Sequence, residues 1–153
     1  MNPNYNQTIT VYNCLRAKDN ADSKRDTWQR TVLHDCFYKN VMGRADSGKS
    51  SEGKGLYVSS SEMRSAYTAR IPESDSYVSY REWTQLEEEK RKGKWTCSVG
   101  DIVIKGECKE EITGSSPNTA AEVLQRYKPD SFKVTAFSDN TTHIAGKHYR
   151  LGG

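Results

Sequence analysis

Between Gln7 and Arg16 apolar and polar residues alternate: Ile9, Val11 and Leu15 fall on one face, Thr8, Thr10 and Tyr12 on the other. A period of two is the mark of a β-strand. The polar run from Lys18 to Asp26 has turn chemistry. From Thr27 to Val41 a long second strand follows, with Trp28, Val32, Cys36 and Tyr38 sharing a face over most of its length. Thr31, Leu33 and Phe37 occupy the opposite face, and apolar surface on both sides admits a bulge. Gly43 to Gly55 is rich in Gly, Ser and Lys and is expected to be an extended loop. Strands are expected at Leu56–Ser59 and Ala66–Ile71, the second stopped by Pro72, which removes a ladder donor.

The pattern then turns helical. Ser79 and Glu82 form a capping box, Tyr80, Trp83 and Leu86 share a helical face, and Lys90-Arg91-Lys92-Gly93 is a suitable C-terminus. This predicts a helix over about 79–92, with Glu87–Arg91 and Glu88–Lys92 as solvated ion pairs. Thr119 and Glu122 make a second capping box, and Ala120, Val123, Leu124 and Tyr127 predict a short helix over about 119–127, ended by Pro129. Strands are expected at Lys94–Ser98, from Ile102 into Glu107–Ile112, around Phe132–Ala136, and at His143–Leu151. The sum is a mainly β chain, a small antiparallel barrel or sandwich with two inserted helices, in one domain over residues 1–153.

Composition narrows the function classes. Hydrophobic residues are 34% of the chain, a thin supply for one core, so the chain either has long polar excursions or completes its burial against partners. A net charge of +3 is too slight for a dedicated nucleic-acid binder. The sequence contains no apolar run of membrane-spanning length and no charged-then-apolar leader, so a soluble, unprocessed protein is expected.

Gly43-Arg44-Ala45-Asp46-Ser47-Gly48-Lys49-Ser50 matches the phosphate-loop pattern G-x-x-x-x-G-K-[ST]. That chemistry needs a helix directly after the loop, aimed at the phosphates. Gly53 and Gly55 oppose one, at about 1 kcal/mol each relative to Ala, and Leu56-Tyr57-Val58 reads as strand. A nucleotide site is therefore set aside, and no cofactor is expected. Cys14, Cys36, Cys97 and Cys108 lack the close pairing of zinc ligands, so no metal site is expected and reduced, partly buried thiols are. His34, His143 and His148 accompany no nucleophile elbow and no H-E-x-x-H helix, so no catalytic residue is assigned. The aromatics alternate with aliphatics, as packing residues do, rather than lying beside clustered cations as base-stacking platforms would.

One segment is more specific. Lys94 to Glu107 contains W-T-x-x-x-G-D-I-V-x-K-G-E, beginning at Trp95, with Gly100-Asp101 as a tight turn and Gly106 as a bend. Together with Ile9-Thr10-Val11-Tyr12-Asn13 and Ala69-Arg70-Ile71-Pro72, it resembles a family of small proteins from the structural gene clusters of tailed phages and prophages, chiefly of Firmicutes. Phe132-Lys133-Val134-Thr135 and His148-Tyr149-Arg150-Leu151 extend the resemblance over nearly the whole chain. The Gly43–Gly55 loop and the Glu87–Lys92 helix stand as insertions. The resemblance implies a non-catalytic virion component, similar to the head-completion (stopper) or tail-completion proteins that form homo-oligomeric rings between portal and tail. The implied partners are portal or adaptor and tail-tube or other neck proteins, with assembly in the host cytoplasm and no membrane. In such a ring the Gly43–Gly55 loop would pack on a neighbouring subunit or reach the lumen. There Arg44, Lys49 and Lys54 would meet the phosphates of packaged DNA without sequence preference. The alternative is a small-barrel nucleic-acid-binding protein.

Overall fold

The computed structural model describes residues 2–50 and 57–153, with 43–50 and 57–65 described as backbone. Its strands are β1 (Gln7–Leu15), β2 (Thr27–Ser50), β3 (Tyr57–Pro72), β4 (Ile102–Lys105), β5 (Ser131–Lys133), β6 (Ala136–Asp139) and β7 (His148–Gly152). They form one antiparallel sheet in the order β5-β4-β1-β2-β3-β7-β6. The helices are short: α1 (Tyr80–Gln85), α2 (Glu88–Arg91) and α3 (Ala120–Arg126). No helix among the described residues is long and apolar enough to cross a membrane.

β5 and β6 stand at opposite ends of the sheet order, yet only Val134 and Thr135 separate them in sequence. That short link forces the sheet to curl. At the seam the Val134 amide donates to the Asp101 carbonyl (2.7 Å) and the Thr135 amide to the Gly152 carbonyl (2.8 Å). Tyr67 and Gly153 exchange two backbone hydrogen bonds, at 2.9 and 3.2 Å. The mainly β, barrel-like architecture expected from the periodicity is therefore present.

The curl encloses one core, including Ile9, Val11, Cys36, Ala69, Trp95, Val103, Phe132 and Leu151. A second core lies on the outer face, where Tyr12, Ile102 and Ile104 are covered by Cys108, Ile112 and Val123. Strands β1 and β4 thus bury both faces. Thr10 and Tyr12 are both 0% exposed, so the more polar face of β1 is as dry as its apolar one.

The bulge admitted by the sequence sits opposite the start of β1. Gln7 pairs with Cys36 and Ile9 with Leu33, so β2 spends one extra residue there, and Asp35 takes a φ of 55°. An extra residue reverses which side chains face inward. Before the bulge Trp28 packs on the outer core, whereas beyond it Cys36 and Tyr38 join the inner one. The expectation that Trp28, Val32, Cys36 and Tyr38 share a face is corrected accordingly.

Several boundaries also differ. Ser79 caps α1 by accepting the Glu82 amide (3.4 Å), as expected, but Leu86 and Glu87 are extended (ψ 146° and 152°), which splits the expected helix 79–92. The break leaves α2 a single turn, on which Lys92 lies beside Glu89 (3.0 Å). It also sets the Arg91 guanidinium over the Trp83 ring, 5.7 Å from its centroid. The helix at 119–127 is α3, with Thr119 accepting the Glu122 amide (3.3 Å). Glu107–Ile112 is irregular rather than strand, because β4 already pairs with β1 and β5 and has no free edge. Side chains hold the segment instead: Thr10 accepts the Cys108 amide (2.8 Å), Tyr12 donates to the Glu110 carbonyl (2.7 Å) and Arg30 to the Cys108 carbonyl (2.9 Å). Lys94–Ser98 makes only a parallel bridge, between Trp95 and Tyr77. The last strand begins at His148, five residues later than expected.

The largest correction concerns the expected loop at 43–55. β2 and β3 remain paired from Val41↔Ala66 out to Ser50↔Tyr57, so Gly43–Ser50 is strand, and Leu56–Ser59 and Ala66–Ile71 belong to one strand. Residues 51–56 lie outside the described residues.

Candidate functional site

The W-T…G-D motif folds around a buried carboxylate. Gly100, at φ 102°, makes the turn, and the Asp101 amide donates to the Ser98 carbonyl (3.1 Å). Asp101 is 1% exposed. Its Oδ2 accepts from Asn13 Nδ2 and the Ser98 amide, both at 2.9 Å, and its Oδ1 from the Cys14 amide at 3.1 Å. Asn13 also clasps Thr96, donating to its carbonyl (2.6 Å) and accepting its amide (3.2 Å). Burial raises the Asp101 pKa above the ordinary carboxylate value even against these donors. The knot ties β1 to the segment before β4. Its donors are the Ser98 and Cys14 amides, the Asn13 side chain and, at 3.4 Å, the Ser98 hydroxyl, so the arrangement fastens strands together.

The sequence had marked Gly100-Asp101 only as a turn; that Asn13 and Asp101 meet could not be read from residues 88 positions apart. Gly106, at φ 84°, supplies the expected bend, and Thr10 donates to its carbonyl at 2.8 Å.

Two grooves flank Trp28. One, of about 670 Å³, is lined by Trp28, Ile102 and Leu124 with Arg16, Lys18 and Lys133. Asp26 also lines it and accepts the Ala17 amide (2.8 Å), while Arg16 donates to the Val99 carbonyl (2.8 Å). The other, of about 410 Å³, mixes Asp22, Glu88 and Glu111 with Arg30, Arg91 and Lys92. Neither groove was anticipated, because each is assembled from turns and helix ends far apart in sequence.

The histidines are not gathered. His34, exposed, lies 3.1 Å from Thr8 Oγ1; His148 lies 3.2 Å from Asn140; His143 is exposed on a turn. All four cysteines are buried as free thiols. Burial pushes Cys14 up to about 11 and Cys36 up to about 12, and raises Cys97 as well.

The site residues expected on the loop fall on the projecting ribbon instead. Arg44 pairs with Met63 and Lys49 with Val58 along the ladder, while Lys54 lies outside the described residues. A phosphate loop wraps its backbone amides around an anion. Gly43–Ser50 is instead extended and paired, so that cradle is not formed there.

The ribbon is the most distinctive element of the surface. β1 accompanies β2 only as far as Cys36, and β7 accompanies β3 only from Thr68. Ten residue pairs, Val41↔Ala66 to Ser50↔Tyr57, continue beyond the barrel, about 30 Å at the usual rise of a strand. At its base Val41 and Met42 are exposed.

A family model covering residues 4–153 matches this chain. The chain belongs to the family of unknown function DUF6751. The match takes in the barrel, the Asp101 knot and the ribbon, so the ribbon lies within the family's span. No curated protein and no solved structure matches the chain.

Proposed function

We propose that this member of DUF6751 is a non-catalytic structural subunit of a tailed-bacteriophage virion, a ring component of the neck that joins portal and tail. The observation that carries the reading is the ribbon. A two-stranded antiparallel pair standing alone in water is marginal, so ten pairs outside the barrel are best accounted for by a neighbour that completes them. The resemblance of the W-T…G-D-I-V segment to phage structural-cluster proteins supplies the setting. Light scattering at high protein concentration, alone and with portal and tail-tube proteins, tests it, together with class averages of virion necks. The expected result is a ring-sized species or a stable portal complex. A monomer with no affinity for either partner overturns the proposal.

One observation favours a second reading, a small-barrel nucleic-acid binder: Arg16, Lys18 and Lys133 line the larger groove against a single carboxylate, Asp26. Duplex binding would then weaken steeply with salt. Flat titrations at low salt dismiss that reading.

A further inference from the structure

Building on the ring reading, we infer that the outer edge of β2 in one copy pairs with the outer edge of β3 in the next, joining the ribbons into one intersubunit sheet. Within the barrel β2 is flanked by β1 and β3, and β3 by β2 and β7. Outward from Val41 and Ala66 each strand has, among the described residues, a partner on one side only. In an antiparallel ladder alternate residues direct both N–H and C=O away from their partner. Each ten-residue edge therefore presents a row of unpaired backbone groups, a template for another strand.

The sequence of the ribbon indicates what that partner offers. Positions 43, 45, 47 and 49 of β2 are Gly, Ala, Ser and Lys; positions 44, 46, 48 and 50 are Arg, Asp, Gly and Ser. Opposite them, β3 is polar at Ser59, Ser60, Ser61, Glu62 and Arg64, with Tyr57, Val58 and Met63 as its apolar positions. Apart from these scattered residues and the exposed Val41 and Met42 at the base, the ribbon is polar, and neither alternate set makes a continuous apolar stripe for a hydrophobic surface to cover. A strand edge finds a full ladder.

A second copy fits this requirement on three counts. The two edges are equal in length, since each strand pairs with the other over the same ten positions. They run in opposite directions, so a rotated neighbour sets its β3 antiparallel to β2, repeating the geometry already made within one ribbon. Pairing unlike edges uses up both, and a rotation that closes leaves no edge open. A two-fold pairing of β2 with β2 would leave every β3 edge bare.

Single-cysteine variants read this out in the full-length protein. The four native thiols are buried, so oxidation reports the introduced ones. Ser47→Cys copies are mixed with Ser59→Cys, Ser60→Cys or Ser61→Cys copies to sample registers, then oxidised. At least one mixture should give disulfide-linked dimers at several times the yield of either variant alone. Self-linking of Ser47→Cys as strong as the best mixture overturns the inference in favour of two-fold pairing. Ser47→Pro/Gly48→Pro should reduce assembly at least tenfold with the barrel's thermal midpoint unchanged. Assembly of the wild type with no mixed cross-link, or undiminished in the proline variant, sinks the edge pairing and leaves the ring reading standing. A wild type that stays monomeric with portal and tail proteins present sinks both.

Discussion

At the scale of single residues the decisive groups are buried and polar. Asp101 receives at least three hydrogen bonds in a site 1% exposed, and an amide in its place would turn an NH2 group toward donors. Asp101→Asn should therefore cost about 1–3 kcal/mol in urea unfolding, the usual range for leaving buried donors unsatisfied. The sign with pH follows from its raised pKa. The protonated form is favoured in the folded chain, so this group's contribution is fully present below the ordinary carboxylate pKa and is lost as pH rises through the raised value. The variant should lack that fall, and the stability gap between the two proteins should narrow from pH 3 toward neutrality. The thiols act in the same direction at alkaline pH. With Cys14 near 11 and Cys36 near 12 in the fold against an ordinary 9.0, stability should decline from about pH 9 upward. At pH 8 the folded protein should label slowly with a thiol reagent, and four thiols should react at once in guanidinium. A fast native phase at pH 8 would contradict the burial.

At the scale of elements, what the sequence made legible was whatever rests on local pattern. The alternation of Gln7–Leu15, the N-caps at Ser79 and Thr119 and the turn at Gly100 all appear where neighbouring residues place them. What failed depended on distant partners. Glu107–Ile112 alternates like a strand but is claimed by the side chains of Thr10, Tyr12 and Arg30. Gly43–Ser50 has loop composition, yet it is drawn out by pairing with a β3 segment whose serines signal no strand. The bulge falls between: apolar residues on both faces announced it, but its position at Asp35 sets the phase of every later side chain in β2. A residue other than glycine at a φ of 55° is strained. Asp35→Gly should therefore be neutral or stabilising by up to about 1 kcal/mol, and Asp35→Val destabilising by about 1–2 kcal/mol. Thermal melts of the pair decide it, and equal midpoints would mean that the bulge carries no such constraint.

At the scale of the whole molecule the problem is closure. A seven-stranded sheet leaves two edges, and here the chain itself joins them through Val134-Thr135, while the Tyr67–Gly153 hydrogen bonds extend the β3–β7 ladder to the end of the chain beside them. The backbone of Gly153 threads so near the β5 strand that a Cβ there would meet the Phe132 ring and lie 2.6 Å from the Lys133 carbonyl. Neither obstacle yields cheaply: the carbonyl is backbone, and Phe132 is 1% exposed in the inner core, stacked on Tyr67 at 5.2 Å between ring centroids. Its neighbour Gly152 sits differently, because a Cβ there would make only ordinary contacts at 3.8 Å. Two adjacent glycines with the same sequence signal therefore have opposite tolerances, set by a seam that forms only when residues 67, 132 and 153 come together. Gly153→Ala should lower stability by about 1–3 kcal/mol, the range for forcing atoms into a packed site. Gly152→Ala should stay within about 0.5 kcal/mol of the parent, as should Gly93→Ala, where a Cβ meets nothing within 4 Å. Hydrogen exchange localises the effect: in Gly153→Ala the Tyr67, Val134 and Thr135 amides should exchange faster, while the β1–β2 amides keep their protection. If the loss instead spread evenly over the sheet, or if Gly152→Ala proved the worse of the two, closure at Gly153 would not be what holds the curl.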